Sequence, residues 1–298
     1  MISPGLNPTS QRRERKLDFE LLVPEDEAEL FSLMEQGDYR LLAGGTDLFV
    51  RTKKKMVNVN RVIDITEVLS GPSLEDKGNK ISISSTATFQ EIAESYLLKE
   101  ELPVLAKSAR EIGATQLRNM ATIGGNICNA SPSADSLIAL YLLNPELNLV
   151  SREGSRHIPI DEFITGPGET DLSQGEYLAS LEIPRVSRCY DHYFEKVGRR
   201  NALDISVCAM GFLLKKDEDV IEDLRLSYGA VAPTVIRATS VEDFLQGREL
   251  NRENLDSAKE LLKSEISPIS DIRGSADYRE KVASRLLDRI LDKSKIRQ

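Results

Sequence analysis

Thr122-Ile-Gly-Gly-Asn-Ile-Cys-Asn-Ala-Ser-Pro-Ser-Ala-Asp135 places two adjacent glycines ahead of four short hydrogen-bonding side chains (Asn126, Asn129, Ser131, Ser133) and ends in a carboxylate where an apolar run begins. Small polar residues bury little apolar area, so this stretch makes a poor core. Gly124 and Gly125 tolerate backbone angles closed to branched residues. The segment therefore reads as a loop that lets main chain come close to a ligand. Upstream, Leu41-Leu-Ala-Gly-Gly-Thr-Asp-Leu48 repeats the arrangement: an apolar run stops at Gly44 and Gly45 and resumes after Thr46 and Asp47. Two glycine-led polar loops point to one large ligand held at two places.

Each feature also has a plainer reading. A single Gly-Gly pair is most often a tight turn. Asp135 at a helix start can simply complement the helix dipole, an effect of about 0.3–1 kcal/mol on a surface. Cys128 reads as a small buried residue. A run such as Gly198-Arg-Arg200 after Lys196 is usually a solvated edge, and the basic residues from Arg12 to Lys16 read as solvent-exposed. The two loops lie at strand or helix junctions, each followed by Thr or Asn and then Asp, and together they favour a ligand over two unrelated turns.

Around these loops the pattern predicts strands over Phe19 to Val23, Tyr39 to Ala43, Arg61 to Ile65 and Lys80 to Thr86, the last from its strict alternation. Helices are expected over Pro24 to Met34, with acids in the first turn, over Phe89 to Leu98, and over Pro103 to Ile112, closed by Gly113. Thr88 and Glu91 form a capping-box pair for the second of these. Ser136 to Leu143 reads as a buried helix. Strands follow at Leu147 to Val150, Arg156 to Ile160 and Gly175 to Ile183, with Gly166-Pro-Gly168 as a turn. A polar connection around Pro184 to Asp191 marks the main boundary. Beyond it, Tyr193 to Val197, Ile205 to Leu214 and Glu222 to Val231 suit a three-stranded antiparallel sheet, and Ser240 to Gln246, Arg252 to Ser264 and Ala276 to Asp292 suit helices. The early strand, helix, strand, glycine-loop order imitates a dinucleotide fold, but Gly44-Gly45-Thr46-Asp47 lacks the third glycine of that fingerprint.

Length and composition set the outer limits. A chain of 298 residues can hold two domains. A net charge of −9 argues against gripping nucleic acid or an anionic membrane, yet loop amides can bind a small anion locally. No apolar run reaches the length of a membrane span and the N-terminus lacks a signal-peptide core, so the expected compartment is the cytoplasm. Three widely spaced cysteines and two histidines argue against a disulfide framework, a zinc site or an iron–sulfur cluster on this chain.

Flavin adenine dinucleotide (FAD) is the kind of ligand that needs both loops. Its pyrophosphate calls for several N–H groups at close range and its ring for a dry apolar wall, to which Ile123 and Ile127 could contribute. A flavin carries its own electron chemistry, so no nucleophile or acid–base pair is expected.

The chain resembles the FAD-binding medium subunit of the molybdenum hydroxylases, the family of xanthine dehydrogenase, carbon monoxide dehydrogenase and 4-hydroxybenzoyl-CoA reductase. The likeness rests on Leu42-Ala-Gly-Gly-Thr-Asp-Leu48, on Ala121 to Asp135, on Phe194-Glu-Lys-Val-Gly-Arg-Arg200 with Asp204-Ile205, and on Tyr228-Gly-Ala-Val-Ala-Pro233 with Arg273-Gly-Ser-Ala-Asp-Tyr-Arg279. It spans about Phe19 to Leu291. The resemblance implies an α+β protein: a two-part FAD-binding domain of the vanillyl-alcohol oxidase (PCMH) type over 17–187, with subdomains of about 17–70 and 71–187. A smaller C-terminal domain like that of the CO dehydrogenase flavoprotein follows over 188–298, with a three-stranded antiparallel sheet and helices. Residues 1–16 would form a flexible N-terminal segment.

The resemblance also implies that Leu42, Ala43, Gly44, Gly45, Thr46 and Asp47 wrap the pyrophosphate. Thr122, Gly124, Gly125, Asn126, Ser131 and Asp135 would surround the phosphates, ribityl chain and ring, with Ile123 near the redox-active edge and Leu178 and Lys196 also in contact. The implied role is electron transfer within a heteromeric complex, from [2Fe-2S] clusters on a small subunit to an external small-molecule acceptor. Molybdopterin would reside on a large subunit. No catalytic residue and no metal ligand is expected on this chain, and the four-cysteine insertion of the benzoyl-CoA branch is missing. The alternatives are a standalone FAD-dependent reductase of the same superfold and a flavin-free assembly module.

Overall fold

The computed structural model describes residues 19–186, 189–200 and 204–294. The expected flexible segment 1–16, with its basic run, lies outside the described residues, as does part of the expected boundary, 187–188.

Three sheets organise the fold. The first is parallel, with Arg61–Asp64 between Glu20–Leu22 and Arg40–Leu42. Parallel strands need crossover connections, and the helix Glu27–Met34 supplies the one between the two outer strands, burying Leu30, Phe31 and Met34 with Ile63, Ile65 and Tyr177. This helix starts after Asp26, not at the expected Pro24, because the Asp26 side chain accepts the Glu29 amide and caps it. The first glycine loop leaves the carboxyl end of Arg40–Leu42, the end at which open parallel sheets hold ligands. A short helix that sequence periodicity does not reveal, Leu48–Lys53, follows the loop.

The second sheet is antiparallel, in the order Leu74–Asp76, Lys80–Ser84, Tyr177–Pro184, Glu146–Ser151, Gly154–Pro159. Alternation in Lys80–Ser84 sends Ile81 and Ile83 into the core, while Leu74–Asp76 is too short to show any pattern. Thr88 and Glu91 form the expected capping box. The expected helix from Phe89 to Leu98 divides at Ser95, whose backbone leaves the helical region and whose hydroxyl accepts the Leu98 amide. Phe89–Glu94 thus ends and Tyr96–Glu101 begins at one residue.

The third sheet has four strands, not three: Asp191–Val197, Cys208–Asp217, Val220–Gly229 and the two-residue Ile236–Arg237. The last strand pairs Arg237 with Ser227 and Ile236 with Tyr228, too short a run for alternation to expose. One face carries Met210, Phe212, Leu226 and Tyr228 into a core shared with the helices Arg252–Glu265 and Ala276–Leu287. The expected single helix Ala276 to Asp292 breaks at Asp288 and resumes as Arg289–Ser294. The other face presents Phe194, Ala209 and Leu213 to the core of the second sheet.

The helix Asp135–Leu143 fills the space between those faces, and all of its residues are buried. Gly211 and Gly229 make the approach possible, since a Cβ at either would lie 3.0 Å from Leu142 Cδ1 or 2.8 Å from Ile138 Cδ1. The start of this helix is thereby held rigidly beneath the second glycine stretch.

Tyr228 to Pro233 and Arg273 to Arg279 are drawn together by a buried guanidinium. Arg279 Nη1 donates to the Val207 and Ala230 carbonyls at 2.6 and 2.9 Å, and Nη2 to Asp271 Oδ1 at 2.7 Å. Against the raising effect of burial, the Arg273 amide and the Arg279 and Arg273 guanidinium groups hold the Asp271 carboxyl well below its ordinary value. This motif pins the C-terminal unit together.

Candidate functional site

Gly44 brings the two glycine stretches into contact. A Cβ built on it would lie 1.9 Å from the Met120 carbonyl oxygen and 3.0 Å from Ala121 Cα, so only hydrogen fits between the loops. Gly45 has φ +65°, a left-handed conformation, and a Cβ there would meet the Phe49 ring at 2.7 Å. Arg51, one turn further on, adds a second tie: its Nη1 donates to Asn129 Oδ1 at 3.1 Å. Its charge also lies 3.8 Å from Asp47 Oδ2.

The backbone donors of the two stretches are used differently. Among the described residues, the amides of Gly44, Gly45, Thr46 and Asp47 donate to no protein acceptor. This partly exposed row of N–H groups is what a phosphate requires. The second stretch is not the expected loop. Ile123–Asn129 is a short helix capped by Thr122, whose hydroxyl accepts the Gly125 amide at 3.2 Å, and it ends where Ala130 turns left-handed. Its other first-turn amides are also engaged: Ile123 donates to the Ala87 carbonyl at 3.0 Å, Gly124 to Ser85 at 2.8 Å and Asn126 to Thr122 at 3.1 Å.

Gly124 is a packing glycine, since a Cβ there would lie 2.5 Å from Ser85 Cβ. Gly125 is exposed and meets only the Thr122 hydroxyl, at 3.0 Å. Ser85 in turn donates its amide to the Ala179 carbonyl at 2.9 Å, which ties the second stretch to the strand that carries Leu178. Leu178, Ile123 and Ile127 are all buried in the core. The two isoleucines therefore lie beneath the site, and their side chains do not supply the part of a dry apolar wall expected of them. Asn126 Oδ1 accepts from the Ser136 hydroxyl at 2.6 Å, and the Ser131 and Ser133 hydroxyls lie 3.2 Å apart. Burial pushes the Cys128 thiol up to about 12, which disfavours the nucleophilic thiolate.

Asp135 and Lys196 meet across the boundary between the second and third sheets. Lys196 Nζ donates to Asp135 Oδ2 at 2.6 Å and to the Glu111 carbonyl at 3.2 Å, and the Ser206 hydroxyl donates to Asp135 Oδ1. The two charged side chains are only 7 % and 10 % exposed. Burial pushes the Asp135 carboxyl above its ordinary value, and the Lys196 ammonium and the Ser206 hydroxyl oppose that rise. Asp135 is thus a paired buried charge, beyond a helix-dipole effect. Ser206 escaped the sequence reading, although it follows Asp204 and Ile205 directly. Asp204 itself organises its loop by accepting the Ile205 amide at 3.1 Å.

Among the described residues, no cluster of three or more His, Cys, Asp or Glu side chains is placed to hold a metal ion, and no helix is long and apolar enough to cross a membrane.

The sequence matches two family models: the FAD-binding domain in molybdopterin dehydrogenase over residues 17–186, and the CO dehydrogenase flavoprotein C-terminal domain over 192–294. It is 33 % identical to the glyceraldehyde dehydrogenase medium chain of Sulfolobus acidocaldarius, over 89 % of this chain and 94 % of that one. It is 32 % identical to the xanthine dehydrogenase FAD-binding subunit of Escherichia coli O157:H7, over 83 % of this chain and 85 % of that one. In a carbon monoxide dehydrogenase structure from Hydrogenophaga pseudoflava that lacks the Mo-pyranopterin moiety of its cofactor, the similar chain superposes with a TM-score of 0.87. The identity there is 26 %, covering 92 % of this chain and 96 % of that one.

Proposed function

Because the chain belongs to the FAD-binding medium subunits of the xanthine dehydrogenase and carbon monoxide dehydrogenase family, we propose that it transfers electrons within a molybdenum-containing dehydrogenase complex. In this reading it receives electrons from [2Fe-2S] clusters of a small subunit and passes them to a small-molecule acceptor. A large subunit carries molybdopterin and the substrate chemistry, and the complex works in the cytoplasm. The observation that carries the reading is the seam at Gly44, where two glycine stretches far apart in sequence meet beside a row of unengaged amides.

When bound, the flavin supplies the exchange between one-electron and two-electron transfer. Every other task falls to residues of this chain. The amides of Ala43 to Asp47 hold the pyrophosphate, with Leu42 buried beneath them. Thr122, Gly125, Asn126 and Ser131 line the remainder, while Ile123 and Gly124 fix the floor by packing and by the bond to Ser85. The Asp135–Lys196 pair closes the end nearest the third sheet, and Leu178 lies behind the second stretch on the strand tied to it through Ser85. Fixed donors of this kind lose little freedom when the anion arrives, which favours binding.

Affinity purification of the full chain from its own cells is expected to bring down two further subunits, one containing molybdenum and one containing iron. Recovery of the chain alone, with a flavin-dependent reductase activity of its own, would overturn this reading in favour of the standalone enzyme.

A further inference from the structure

We propose that Arg51, aimed by Asn129, is the charge partner of the cofactor's pyrophosphate. The inference rests on the FAD reading above and adds a residue that neither glycine motif contains. Amides supply hydrogen bonds but no net charge, and a pyrophosphate brings two negative charges into a protein whose net charge is −9. A cation beside the amide row would offset that charge and tighten the binding that the amides begin.

Arg51 meets that need by position. It lies in Leu48–Lys53, directly after the unengaged amides of Gly44 to Asp47. Its Nη1 donates at 3.1 Å to Asn129, the last residue of the helix Ile123–Asn129. The guanidinium is thus held where the two motifs converge. Its side chain is 40 % exposed, and its other N–H donors make no hydrogen bond among the described residues. A planar fork with free donors can take a phosphate in two parallel bonds. Asp47, 3.8 Å away, aligns the side chain without occupying those donors. Four of the five residues from 51 to 55 are basic, and Lys53, Lys54 and Lys55 are exposed behind Arg51, so the local field favours an anion although the whole chain repels one.

The test uses the full chain stripped of cofactor and titrated with FAD by flavin fluorescence at low and high KCl. Arg51→Ala is expected to raise the Kd for FAD about tenfold at low salt and to flatten its dependence on salt, because an exposed charge contact is screened. Arg51→Lys, which keeps the charge and loses the fork, should fall between. Asn129→Ala should weaken binding less than Arg51→Ala while preserving the salt dependence. Arg51 is partly exposed, so all variants should melt with the parent. A Kd and salt dependence in Arg51→Ala equal to the parent's would overturn the proposal, as would a weakening identical at every salt concentration. Failure of the parent chain to bind FAD would instead overturn the flavin reading itself.

Discussion

Gly44→Ala is expected to abolish retention of FAD, whereas Gly125→Ala leaves it within a few-fold of the parent. The added methyl of Gly44→Ala would sit 1.9 Å from the Met120 carbonyl oxygen, and backbone on both sides must move to admit it. Overpacking a close-fitted position costs roughly 1–3 kcal/mol and occasionally more, and a clash with main chain belongs at the upper end. The movement also separates the two stretches, which by the same seam position the amide row. Gly45→Ala should be intermediate. Its left-handed φ costs an L-residue about 1–2 kcal/mol, but the nearest atoms belong to the Phe49 and Leu42 side chains, which can shift. At Gly125 the nearest atom is a rotatable hydroxyl at 3.0 Å. Flavin content per chain after gel filtration, with a thermal melt for each variant, reads the order directly. Equal flavin content in Gly44→Ala and the parent would show that the seam does not govern the site.

The second large effect concerns the buried ion pair. Lys196→Met is expected to destabilise the chain by roughly 3–5 kcal/mol, the usual cost of leaving one charge of a buried pair alone. The cost should grow with pH. Asp135 already has its carboxyl pushed up by burial, and loss of the Lys196 ammonium removes an opposing influence. A carboxyl whose folded value lies above its unfolded one stays protonated in the folded chain while the unfolded chain ionises. Stability is therefore intact in acid and falls as pH rises towards the folded value. Adding Asp135→Leu to Lys196→Met should restore most of the loss, because an apolar pair of similar volume carries no buried charge. Denaturant melts of the single and double variants in acid and at neutral pH decide the matter. A single variant as stable as the parent at neutral pH would mean that the pair contributes nothing to joining the second and third sheets.

Much of the architecture is legible locally. The Thr88–Glu91 box marks a helix start because its two hydrogen bonds are set by sequence spacing alone. Lys80–Ser84 declares itself by alternation. What escapes depends on partners remote in the chain. A Gly-Gly pair inside Ile123–Asn129 reads as a loop, because glycine is a poor helix former; the helix exists because Thr122 caps it and Ser85 accepts the Gly124 amide. Gly44 and Gly45 look equivalent in sequence, and only the Met120 carbonyl distinguishes the one with no room from the one with a special backbone angle. Ile123 and Ile127 read as a cofactor wall because they flank the glycines, but the helical turn points both into the core. The Asp135–Lys196 pair joins residues 61 apart, a distance over which charge pattern carries no information. Ile236–Arg237 is too short to signal a strand at all.

The central claim, that this oxidoreductase subunit holds FAD between its two glycine stretches, is tested most directly by releasing the cofactor. Purified full-length protein should be yellow, and mild acid should free FAD at one molecule per chain, with the stripped protein regaining its colour on addition of FAD. A colourless chain that cannot be reconstituted, or one that releases only FMN, would contradict the account.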